Sequence, residues 1–115
     1  MIRKESELRS DAVANLMGGD GDINRIHFLE VEDFAGHGRL FAKFSLEPGS
    51  SIGFHKHEGE QEAYYILSGK ALYNDNGKDV TLEKGHFALC KSGEGHSIES
   101  IGEENLEFIA LIMKA

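Results

Sequence analysis

With 115 residues, 40% of them hydrophobic, the chain has apolar material for one modest core and no block of different composition to mark a second domain. Twelve basic against twenty acidic residues give a net charge of −8, and the scattered basic residues argue against nucleic acid or an anionic membrane surface as a partner. One cysteine excludes an internal disulfide, Met1 to Glu7 lack the apolar core of a signal peptide, and no apolar run is long enough to cross a bilayer, so the expected compartment is a reducing cytoplasm.

Residues 7–17 read as a short helix or an irregular arm, since Leu8, Val13, Leu16 and Met17 offer only a narrow apolar edge. Residues 1–24 are therefore expected to form an arm packed on the rest of the chain or on a partner subunit, with the folded domain over 25–115. Beyond the arm the period is that of strands. Leu40, Ala42, Phe44 and Leu46 alternate with Lys43, Ser45 and Glu47, and Pro48-Gly49 ends that run. Further strands are predicted over 51–57, 62–68, 70–74, 79–83, 87–90, 96–101 and 106–113, with Asp75-Asn76-Gly77 as a hairpin turn. Many short strands at close spacing, with little room for crossover helices, indicate an all-β sandwich or barrel. From Phe108 to Met113 the last strand is apolar on both faces. Its outer side therefore needs a cover, either a second copy in a homodimer, the commonest assembly, or the chain's own N-terminal arm.

The chemistry concentrates in residues 49–69. In an extended strand His55 and His57 project to the same side, about 6–7 Å apart, and can converge on one ion. The polar, glycine-bearing stretch Glu58 to Gln61 suits a turn that returns the chain and brings Glu62 beside the imidazoles. A fourth ligand must come from elsewhere. Gly85, Gly93 and His96 repeat the arrangement, with His96 opening a strand after a turn at Gly93 and Gly95.

These two stretches resemble the two cupin motifs. The first has every anchor: glycine, five residues, His-x-His, four residues, glutamate, six residues, glycine, from Gly49 to Gly69. The second keeps Gly85, Gly93 and His96 but has Lys91 in place of proline and Ser100 in place of asparagine. Fifteen residues separate the two stretches, a spacing typical of small bacterial-type cupins, and the resemblance spans roughly residues 40–113. It implies a single-domain jelly-roll β-barrel with one divalent transition metal held by His55, His57, Glu62 and His96. Three nitrogens and a carboxylate suit manganese, iron, cobalt, nickel, copper or zinc and leave coordination positions for a small molecule.

Alternation from Glu62 turns Tyr64, Ile66 and Ser68 inward, from His96 it turns Ile98 and Ser100 inward, and from His55 it places Gly53 there. Tyr64 is thus a candidate for orienting a substrate. Small cupins like this one are often labelled oxalate-decarboxylase-like. That reaction also wants an acid on a lid over the metal, for which Glu58 or Glu60 would be the stand-in. His27, His37 and His86 read as structural or solvent-facing, and Cys90 as a small buried hydrophobe. The expected function is a metal-dependent enzyme on a small carboxylate- or enediolate-type molecule, of decarboxylase, dioxygenase or isomerase type. The alternative is a non-catalytic module that binds or senses such a molecule.

Overall fold

The structure, a computed structural model, describes residues 1–115. Ten strands form: β1 (Arg9–Ala14), β2 (Asp22–His27), β3 (Gly38–Leu46), β4 (Ser51–Lys56), β5 (Glu60–Ser68), β6 (Ala71–Asp75), β7 (Lys78–Leu82), β8 (Phe87–Cys90), β9 (Gly95–Ser100) and β10 (Leu106–Lys114). Short 3-10 turns at Glu5–Glu7, Leu16–Gly18 and Val31–Phe34 are the only helical segments, so no helix is long and apolar enough to cross a membrane. All pairings are antiparallel. A six-stranded sheet of order β1-β2-β3-β10-β5-β8 faces a four-stranded sheet of order β4-β9-β6-β7, the all-β arrangement expected from the strand spacing and the jelly roll that the cupin resemblance implies.

The alternating pattern explains the layering. Ala42, Phe44 and Leu46 of β3, Phe108, Ala110 and Ile112 of β10, and Tyr64 and Ile66 of β5 bury one face of the larger sheet. They meet Ile52, Tyr73, Leu82 and Ile98 from the smaller sheet in one continuous core. Aromatic contacts tie it together: Phe44 stacks on Phe108 at 5.2 Å, and Tyr64 tilts against Phe108 at 4.5 Å, each such pair adding about 0.5–1.5 kcal/mol beyond area burial. The Asn-Gly turn forms as expected, with Asn76 and Gly77 at positive φ and Asp75 paired with Lys78.

The N-terminal segment departs from the sequence reading. Instead of a helix or irregular arm, residues 9–14 form β1, which pairs with β2, and β2 pairs with β3. A narrow apolar edge suffices for an edge strand, which buries one side only. The segment thus extends the larger sheet sideways instead of covering β10, whose outer residues Ile109, Leu111 and Met113 stay half-buried.

Two irregularities matter for the site. In β4, Ile52 pairs with Ile98 and His55 with His96, so Gly53 and Phe54 together oppose Ser97. This bulge turns Ile52 into the core and Phe54 out to solvent, correcting the expectation that Gly53 would share the inner face with His55. In β3, Leu40 pairs with Ile112 and Gly38 with Met113, leaving Arg39 as the extra residue. Bulges of this kind re-aim a side chain.

The 3-10 turn at Leu16–Gly18 packs on β4 at the first of these bulges. A Cβ on Gly53 would collide with the backbone carbonyl of Met17. Gly53→Ala is therefore expected to cost about 1–3 kcal/mol through overpacking and to lower the thermal midpoint by several degrees. Lys78→Ala, at an exposed position, should stay within about 0.5 kcal/mol of the parent. A Gly53→Ala melt superimposable on the parent would show that the turn does not rest on β4.

Candidate metal centre

His55 is the last residue but one of β4, His57 follows that strand directly, Glu62 lies in β5 and His96 is the second residue of β9. The two sheets thus meet at this point, with β4 and β9 of the smaller sheet supplying imidazoles to the carboxylate of the larger. One ligand atom from each of the four residues lies within 4.8 Å of the others. The Nε2 atoms of His57 and His96 are 3.2 Å apart, and those of His96 and His55 3.1 Å. Glu62 Oε1 stands 3.0 Å from both His57 Nε2 and His96 Nε2, and 3.7 Å from His55 Nε2.

Outer partners decide which ring nitrogen carries the proton. His55 Nδ1 is 2.8 Å from the Gly53 carbonyl and His57 Nδ1 is 3.1 Å from Glu60 Oε1. Both oxygens only accept, so each Nδ1 donates and each Nε2 turns a lone pair inward. His96 Nδ1 is held at 2.8 Å by the Tyr73 hydroxyl. Neutral imidazoles in this arrangement aim lone pairs at one another and at a carboxylate oxygen. Only a proton or a metal cation between them makes the cluster favourable.

A transition-metal ion with bonds of ~2.1 Å would set neighbouring octahedral ligands ~3.0 Å apart, close to the spacings found. The donor set therefore fits such an ion. Outer hydrogen bonds to a ligating histidine fix its ring and tautomer, and here all three rings have one.

Charge follows the same logic. Burial alone would raise the Glu62 carboxyl, but hydrogen bonds with His55, His57 and His96 hold it well below the usual carboxylate range. The hydrogen bond with Glu62 raises His57, whereas burial lowers His96. Glu60 is depressed to about 2, chiefly by the Arg39 guanidinium and further by His57. At neutral pH it is a carboxylate that orients His57 and lines no part of the cavity over the ligands. Tyr64 stacks on the His96 ring at 5.0 Å, and burial together with the Glu62 charge raises its hydroxyl well above the ordinary tyrosine range, so it stays protonated.

The remaining candidates lie apart. His27 is buried and bonds Asp11 at 3.2 Å, and His86 Nδ1 accepts the Glu83 amide. Neither joins the cluster, nor does His37. Cys90 is buried and its thiol is pushed up to about 11 by burial, consistent with a packing role.

Above the ligands a cavity of about 70 Å³ opens, walled by Leu16, Met17, Leu40, Phe44, Ile52 and Ile112 with Tyr64, His55, His57 and Glu62. Arg25 and Arg39 complete it. The sequence marks neither arginine, nor Leu16 and Met17, as lining residues: Arg25 lies on β2, which only β1 separates from the sheet edge, Arg39 lies at a bulge, and Leu16 and Met17 fall in the turn between β1 and β2.

The Cupin_2 family, the cupin domain, matches residues 42–112, and the chain belongs to that family. Among its relatives, the oxalate-binding protein of Thermotoga maritima is 46% identical over 113 residues, covering 98% of this chain and 93% of the relative. A crystal structure from the same organism, described as a "predicted oxalate decarboxylase", superposes with a TM-score of 0.94 at 45% identity, covering 100% of both chains. The polyketide cyclase RemF from Streptomyces resistomycificus has the same fold, with a TM-score of 0.77 at 15% identity over 99% of this chain and 80% of that one.

His57→Ala should lose most bound metal in elemental analysis while keeping the β-rich circular dichroism spectrum, because the core strands pack without it. Full metal content would overturn the ligand assignment. Acid should also weaken the fold. Asp11, held to about 2 chiefly by Arg25, and Glu60 at about 2 bind more protons unfolded than folded between roughly pH 4.5 and 2, so their stabilisation is present above that window and lost as pH falls through it. Melts across the window should show the decline, and Asp11→Asn should start lower and decline less.

Proposed function

We propose that this cupin holds one divalent transition metal on His55, His57, Glu62 and His96 and captures a small carboxylate there. The observation that supports it is the convergence of three imidazole Nε2 atoms and one carboxylate oxygen, of which those of His55, His57 and Glu62 face a cavity of about 70 Å³. At about 10–15 Å³ per water position, such a cavity takes a molecule of about five to seven non-hydrogen atoms. The bound metal would supply a Lewis-acid centre with open positions for an oxygen ligand. Around it the chain excludes water with Leu16, Leu40, Phe44 and Ile112, and Tyr64 offers a protonated hydroxyl as hydrogen-bond donor. The name of the 46% identical relative, an oxalate-binding protein, supports the same ligand class.

Capture is favoured over turnover because Glu62, a ligand, is the one carboxylate among the lining residues, and Glu60 is committed to Arg39 and His57. Turnover is the second reading, supported by Tyr64 as the one hydroxyl in the cavity wall. The exposed Tyr65 and Phe87 with the half-buried Ile109 and Leu111, all on the outer face of the larger sheet, favour a homodimer through that face. The net charge and the absence of a basic cluster favour a small-molecule partner over nucleic acid, and a reducing cytoplasm fits the single buried thiol.

Elemental analysis of protein purified without chelators should find near one transition metal per chain. Calorimetric titration of that protein with oxalate should give one site per chain, and incubation with oxalate should release no formate above the metal-free control. Absence of metal uptake sinks the metal-centre reading, and formate release at a steady multiple-turnover rate replaces capture with decarboxylation.

A further inference from the structure

Two fixed positive charges stand in the wall of a cavity that is otherwise apolar above its floor. Arg25 points inward from β2, between the buried Ile23 and His27, with its guanidinium 5.9 Å over the Phe44 ring. Asp11 of β1 grips it through Nε at 2.8 Å and Nη2 at 2.7 Å. Arg39, turned by its bulge, reaches the same cavity and is gripped by Glu60 through Nε at 2.8 Å and Nη2 at 2.8 Å. In both, one edge of the guanidinium is spent on a carboxylate of the chain and Nη1 makes no hydrogen bond within it.

A guanidinium whose orientation is already locked loses little freedom on binding a further anion, and its remaining N–H groups suit a carboxylate. Arg25, with a side chain 20% exposed, is costly to place facing inward unless it is paired, whereas Arg39, 52% exposed, stands at the mouth of the cavity. Each arginine is held at the cavity by its own acid.

Resting on the proposed carboxylate-binding metal centre, we propose that Arg25 and Arg39 form a second anion anchor opposite the metal ligands, so that the site selects a short dianion carrying a carboxylate at each end. One end of the ligand lies on the floor, where His55, His57 and Glu62 face the cavity, and the other meets the free Nη1 edges. The cavity volume suits a ligand of about six non-hydrogen atoms, the size of oxalate, and Glu62 is the one carboxylate in the wall to oppose a second negative charge.

A metal centre alone also prefers oxalate, by chelation, so the decisive measurement compares variants. The parent, Arg25→Gln and Arg39→Gln, each saturated with cobalt(II) and each checked for metal content and melting temperature, are titrated with oxalate and with acetate by calorimetry and visible absorption. Each variant is expected to lose about 10- to 100-fold in oxalate affinity, as befits a charge-assisted contact, and to lose clearly less in acetate affinity. Arg25→Lys and Arg39→Lys keep the charge but lose the fork, and should recover only part of the loss.

Oxalate affinities unchanged in both glutamine variants would overturn the clamp while leaving the carboxylate-binding centre standing. Equal losses for oxalate and acetate would also overturn it, since the arginines would then act only through the metal ligands. Failure of the parent to bind either anion would remove the underlying reading and the clamp with it.

Discussion

Everything at the centre of this protein follows from placing an ionised carboxylate, Glu62, in the interior against three imidazoles, of which His55 and His57 turn lone pairs inward. Left alone, that arrangement is repulsive. The protein accepts it because each histidine ring is pinned from outside, by the Gly53 carbonyl, the Glu60 carboxylate and the Tyr73 hydroxyl, so the rings cannot rotate to relieve it. A cation is the natural occupant of a cluster held open in this way.

The scaffold is built to keep those pins still. The Gly53 carbonyl sits in a bulge clasped by the Leu16–Gly18 turn, and Glu60 is oriented by Arg39, itself displaced by a second bulge. Two departures from regular pairing thus set the geometry of two ligands. Both lie near one end of the facing sheets, where the pleat can be broken without opening the aromatic core around Phe44, Tyr64 and Phe108.

The first two strands add what the barrel motifs lack. β2 brings Arg25 to the cavity, β1 brings the Asp11 that holds it, and the turn between them brings Leu16 and Met17 to the rim. A segment that contributes little to the main core thereby shapes the space above the ligands.

The four clustered residues are legible in the sequence because strand alternation and a short turn bring His55, His57 and Glu62 together locally, and the second glycine-framed stretch marks His96. The strands from residue 39 onward are legible for the same reason, a period of two enforced by one buried face. The edge strand β1, the inward Ile52 and the two arginines are not. A half-exposed strand leaves a weak pattern, and a bulge shifts the alternation by one without altering composition. The all-β class and the cluster of three histidines and one glutamate are thus readable from local spacing along the chain. The ring orientations, the walls of the cavity and the placement of Arg25 and Arg39 emerge only on folding, because they depend on which residues meet across strands far apart in the chain.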